Sequence, residues 1–213
     1  MKISELFDLE HTLAKDYLSQ FAYPWQALAG IGELLQELAG QGLAGFREIA
    51  PGVWAHESAK IAPTASITGP CIIGPEAEIR HCAFIRGNAL IGEKAVVGNS
   101  TEIKNAILFD GVQVPHYNYI GDSILGYKAH FGAGSLTSNV RGDKGLVKIA
   151  GMETGRKKVG AFVGDFGEIG CNAVLNPGTV IGRNSQVYPT SCVRGIVPEN
   201  SMYKNNGSIV KKV

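Results

Sequence analysis

At 213 residues the chain has room for one well-cored domain and a small appendage, and a second full-sized domain is not expected. Twenty Lys and Arg against nineteen Asp and Glu leave a formal charge of +1, so no global field draws the chain to nucleic acid or to an anionic membrane, and neither is expected as a partner. Glycine, at 28 residues, is about twice its ordinary share, while 45% of the residues are hydrophobic; this argues against disorder and for a chain built from many turns.

No apolar run approaches the ~18 residues of a membrane span. The opening MKISELFDLE carries acids where a secretory signal would carry basic and then apolar residues, so the expected location is cytoplasmic. Leu6, Leu9, Leu13, Tyr17 and Phe21 fall on one helical face, and Pro24 opens a second pattern of Leu28, Ile31, Leu35 and Leu38. Residues 1–42 are therefore expected to be a helical segment, placed as a cap on whatever follows.

From Ala55 a different period takes over. Aliphatic or small residues recur every six positions, at Ala55, Ile61, Ile67, Ile73, Ile79, Ile85, Ile91, Val97 and Ile103. Four places after each comes another small or branched residue, such as Ala77, Ala83, Ala89 and Ala95. The phase returns at Val163, Ile169, Leu175, Ile181, Val187 and Val193, and between the two runs it slips to five twice, through Leu108, Val114, Ile120, Leu125 and Phe131. A period of six suits neither an amphipathic helix nor an alternating strand. It suits a parallel β-helix of hexapeptide repeats, an all-β solenoid in which three hexads make one triangular coil and stability comes from stacking coils. The β-helix is expected over residues 43–198, interrupted by a loop at about 137–158 with four Gly and six Lys or Arg, and followed by a tail at 199–213. Cys71, Cys82, Cys171 and Cys192 show no metal-type spacing and read as free thiols.

Repeat arithmetic also carries chemistry. Residues 18 apart stack in a regular coil, which puts Lys104 over Arg86. Like charges on adjacent strands repel unless each has its own acid, for which Glu102 is available, or the two share an anion, which would be a phosphate clamp. His81 and Asn99 stack in the same way, and His116 continues their column. Its context, VPHYNYIGD, lies where the period slips, and irregularity within a strict repeat tends to mark a site.

With these residues the sequence resembles the hexapeptide-repeat acyltransferases with a left-handed β-helix. Within that class it is most similar to the acetyltransferase domain of the bifunctional enzymes that acetylate glucosamine-1-phosphate and couple it to UTP, and to related archaeal sugar-1-phosphate nucleotidylyltransferases. VGNSTEIKNAIL, VPHYNYIGDSILG, HFGAGSLTSN and GRKKVGAFVGD carry the likeness, and YPWQAL resembles the connector that precedes the β-helix in the archaeal proteins. The resemblance implies a homotrimer using acetyl-CoA as co-substrate, without a metal. It implies His116 as general base and a backbone N–H at Ala133 facing the oxyanion. Arg86 and Lys104 would bind phosphate, Tyr119, His130 and Asn139 the sugar, and Lys144 and Lys148 the coenzyme.

His130 stands where the bacterial domain has asparagine, and Asp165 where it has serine. The Gly-rich nucleotide-binding segment of the uridyltransferase half is absent from this sequence. The expected function is thus acetyl transfer to an amino-sugar phosphate without nucleotidyl transfer. A non-catalytic β-helix scaffold or regulatory subunit is the alternative. A carbonic-anhydrase-like metal site is disfavoured, because it needs three converging histidines and no His-x4-His pair is present.

Overall fold

Inward-pointing residues of the hexads meet their counterparts one coil away, and the register shows it directly. In a computed structural model, which describes residues 1–212, Ala55 pairs with Ile73, Ile73 with Ile91, Ile91 with Leu108 and Leu108 with Leu125; the column resumes through Val163, Ile181 and Val197. A second column runs Ile61, Ile79, Val97, Val114, and a third Ile67, Ile85, Ile103, Ile120. All these pairings are parallel, and together they build a left-handed β-helix of about eight coils. Corners are turned by residues in the left-handed backbone region at the third place after each inward aliphatic: Glu76, Cys82, Asn88, Lys94 and Ser100 all have φ near +50°.

The two slips have a structural meaning. With one residue missing from the corner between the third and first faces, the chain runs through it, so Glu102–Leu108 and Tyr119–Leu125 are continuous seven-residue strands. They pair with each other over their whole length.

The N-terminal segment does not cap the first coil. Its helices, Ile3–Leu6 (α1), Lys15–Leu18 (α2), Pro24–Ala27 (α3) and Ile31–Gly40 (α4), lie along the flank of the β-helix, with α4 against the strands Cys71–Ile73, Ala89–Ile91 and Glu102–Leu108. The reason lies on the outside of the first face, where Ile72, Leu90, Ile107, Ile124, Phe162 and Val180 are stacked and all at most 1% exposed. Such a ridge is apolar on both sides and needs cover, as buried parallel strands do. The segment provides it as a strap. Phe7 packs 5.2 Å from Phe109, the Asp165 N–H donates to the Leu6 carbonyl at 3.0 Å, and the Asp165 carboxylate accepts from the N–H groups of Asp8 and Tyr127 at 2.7 and 2.9 Å. At the open first coil Ile61 and Ile67 are only partly buried.

The expected C-terminal tail is also part of the fold. Ser201–Tyr203 extends the second column of strands, and Ile209–Lys211 pairs antiparallel with it. The 137–158 loop folds back on the coil: Lys148–Ile149 and Met152–Glu153 form a short hairpin, and the buried Val147 and Ile149 close over Gly178. Gly178 has φ +79°, and a Cβ there would sit 2.9 Å from both side chains. Among the described residues no helix is long and apolar enough to cross a membrane.

Candidate active site

The third face carries the two stacked cations. Strand alternation turns Ile85, Ile103 and Ile120 inward and leaves two outward columns, Phe84, Glu102 and Tyr119 in one and Arg86, Lys104 and Gly121 in the other. Lys104 does stack on Arg86, and each cation has its own acid. The Arg86 guanidinium donates to Glu102 at 2.7 Å, and the Lys104 ammonium to both oxygens of Asp122 at 3.1 and 3.2 Å. The two pairs differ in kind. Arg86 and Glu102 are 47% and 32% exposed, so water screens them, whereas Asp122 is 3% exposed.

Asp122 follows the straightened corner with φ +49°, directly over Asn105 at φ +50° and Asn88 at φ +49°. Asn and Asp enter this region more readily than other side chains, which suits them to the column. From there the Asp122 carboxylate collects three donors: Lys104, Asn105 Nδ2 at 3.0 Å and Asn139 Nδ2 at 2.6 Å. Asn139 also donates to the Tyr119 hydroxyl at 3.1 Å. The Tyr119 ring lies over Gly121, where a Cβ would meet its hydroxyl at 2.4 Å, so only glycine leaves room for it. Burial, with the charges of Asp122 and Glu102, pushes the phenol above its ordinary range, and Tyr119 keeps its proton at neutral pH.

His116 stands at the edge of the same face, exposed, paired in register with Asn99, whose side chain donates to the His81 carbonyl at 3.1 Å. Buried Asn118 braces this corner. It accepts from the His116 N–H at 3.0 Å and donates to the carbonyls of Gly132 and Ser135. Ala133 is in the next coil, at the turn whose Gly134 N–H donates to the His116 carbonyl at 3.0 Å.

Within one chain, then, Lys104, Asn139 and Tyr119 are joined through Asp122, Arg86 stacks one coil from Lys104 on its own acid, and His116 and Ala133 stand at the corner before Tyr119 and one coil on from it. His130 is elsewhere, on the second face, 2.9 Å from Glu168 and lining a cavity of about 640 Å³ with His11, Asp110 and Tyr127. Lys148 pairs with Glu153 at 3.0 Å and, with Ser138, Arg141, Asn176 and Arg194, lines a cavity of about 590 Å³ under the loop. Lys144 is exposed on that loop. The hub of the cluster, Asp122, is not among the residues expected at the site, although it belongs to VPHYNYIGD and lies 18 residues beyond Lys104.

A family model described as the GMPPB C-terminal domain matches residues 67–152. "Bifunctional protein GlmU" of Methanococcus maripaludis is 31% identical over 233 residues, covering 99% of this chain and 53% of that protein. The "Bifunctional sugar-1-phosphate nucleotidylyltransferase/acetyltransferase" of Sulfurisphaera tokodaii is 31% identical over 174 residues, covering 71% of this chain and 43% of that protein. The chain thus spans about half the length of the curated relatives it matches. Among solved structures, PerB from Caulobacter crescentus, crystallised with CoA and GDP-perosamine, is 17% identical with a TM-score of 0.42 and covers 85% of this chain and 67% of its own.

Proposed function

From its 31% identity to the GlmU protein of Methanococcus maripaludis over 99% of this chain, and to the Sulfurisphaera tokodaii protein over 71%, we propose that this chain is an acetyl-CoA-dependent N-acetyltransferase acting on an amino-sugar phosphate. The observation that carries the reading is the third face, where two stacked cations, a protonated phenol and an amide adjoin an exposed imidazole.

An amine must lose a proton to attack a thioester, and His116, free of the core, takes that role as general base. The amine nitrogen bonds to the acetyl carbonyl carbon, the bond to sulfur breaks, and coenzyme A leaves as a thiol carrying the proton that His116 took from the amine. The N–H of Ala133, one coil from His116, serves as the fixed donor to the oxyanion. The acceptor's phosphate lies over Arg86 and Lys104. Glu102 holds Arg86 only through an exposed pair, so a dianion can draw the guanidinium away from it, while Lys104, with one N–H group beyond those aimed at Asp122, gives the phosphate a fixed charge. Tyr119 donates its proton to the sugar, and Asn139 sets the direction of that hydroxyl. Lys148 and Lys144, on the loop, and His130, on the second face, are assigned to coenzyme and sugar from resemblance alone.

A flat face covers a substrate on one side only. The proposed assembly is therefore a homotrimer in which a neighbouring subunit closes the groove over the third face and the coenzyme lies between the two. The proposal places the protein in the cytoplasm, where acetyl-CoA is at hand.

The test is release of free thiol from acetyl-CoA across a panel of amino sugars with and without a phosphate. Turnover is expected to be fastest with a phosphorylated amino sugar. A purified, folded protein that releases no thiol with any of them would favour the scaffold reading instead, in which Arg86–Glu102 is an ion pair of the surface and Lys104–Asp122 a part-buried one that serves the fold.

A further inference from the structure

Three thiols are exposed, at Cys82, Cys171 and Cys192, and their surroundings differ. The Cys82 sulfur lies 3.2 Å from Nε2 of His81, and the other ring nitrogen, Nδ1, lies 2.7 Å from the Thr64 hydroxyl. Thr64 comes from the coil before, and its Oγ1 also accepts the Cys82 N–H at 3.3 Å. In the tautomer with the proton on Nδ1, the hydroxyl oxygen accepts from both the imidazole and the Cys82 backbone, using its two lone pairs, and the bare Nε2 faces the thiol. This is a nucleophile, a base and a group that orients the base, held by residues that the coil brings together. The Cys192 sulfur is instead approached by the Asn176 amide at 3.1 Å. Cys71 is buried, which pushes its thiol up to about 12.

We propose that Cys82, served by His81 and Thr64, is a thiol-exchange site that takes a low-molecular-weight disulfide. Its sulfur attacks one sulfur of the disulfide while the thiol proton passes to His81 Nε2. The disulfide's own S–S bond breaks as the mixed S–S bond to Cys82 forms, and the leaving thiolate takes the proton from His81 and departs as a thiol. No external oxidant is needed, because the incoming disulfide supplies the oxidising equivalents. The adduct would stand on the column that carries His81, Asn99 and His116, two coil spacings, or about 10 Å, below His116. The proposal does not depend on the acetyltransferase reading.

The experiment labels the native protein with dithiodipyridine and, separately, with oxidised glutathione, and reads each cysteine by peptide mass spectrometry over time. Cys82 is expected to react several-fold faster than Cys171 and Cys192, with Cys71 unlabelled until the chain is unfolded. His81→Gln should slow Cys82 to the rate of Cys171 and leave the other two thiols unchanged. Thr64→Val should give an intermediate rate. His81 is at the surface, so an unchanged melting curve is expected, and His81→Asn serves as the second variant should the first be unstable. Equal rates at Cys82 and Cys171 in the native protein, or a Cys82 rate that survives loss of the imidazole, would overturn the proposal.

Discussion

Arg86 and Lys104 stack one above the other, yet each is held by an acid of a different kind, and the difference decides what each substitution does. Arg86 is tied to Glu102 in the open, so Arg86→Ala removes little from the fold. If the pair of cations binds phosphate, the same change should raise the apparent KM for a phosphorylated amino sugar by roughly ten-fold and leave its unphosphorylated analogue nearly unaffected. Equal effects on both substrates would remove the clamp. The stack itself was legible, because 18 residues separate the two cations and the coil repeats at 18. The acid beneath Lys104 was not. The slip shifts the register so that Lys104 pairs with Gly121, and Asp122, at φ +49° on the corner over Asn105, reaches back to the ammonium. A count of residues shows where a period breaks; it does not show which way the next side chain then turns.

The N-terminal strap shows the same limit for a whole element. Its second apolar pattern was readable, since Ile31 and Leu35 are buried in α4, but the first is no continuous helix: residues 3–18 fold as three short turns, and Leu13 is exposed. The strap's docking site was marked in the sequence by the runs CII, ALI, AIL and AFV on the first face, where three consecutive apolar residues leave no side for water. Read only as hexads, those strands give two inward residues each, and the outward one between them is overlooked. Phe7 is the anchor of the strap, 2% exposed against Phe109. Phe7→Ala is expected to cost about 3 kcal/mol, near the lower end of the range for a buried phenylalanine because the strap's other contacts remain. Hydrogen exchange at the amide of Asp8, which donates to Asp165, should then rise well before exchange in the β-helix core does. Uniform exchange across strap and core would mean that the two unfold as one unit.

At the scale of the molecule, the coil repeats one hydrophobic solution about eight times and confines its exceptions to one region. The two slips and the long loop fall between Glu102 and Lys158, and apart from Arg86, one coil earlier, the residues of the third-face cluster lie there too. A homotrimer built on that face should sediment at three times the 22.6 kDa of one chain. A stable monomer at working concentration would leave the face uncovered and the assembly proposal without support. The central claim is that this surface moves an acetyl group, and one measurement addresses it most directly: thiol release from acetyl-CoA with an amino-sugar phosphate, run side by side on the native protein and on His116→Ala. The account predicts steady turnover by the native protein and a loss of about 10²–10⁴ in the variant, with its melting temperature unchanged. Full activity in the His116 variant would place the base elsewhere, and a native protein inert toward every amino-sugar phosphate would contradict the claim itself.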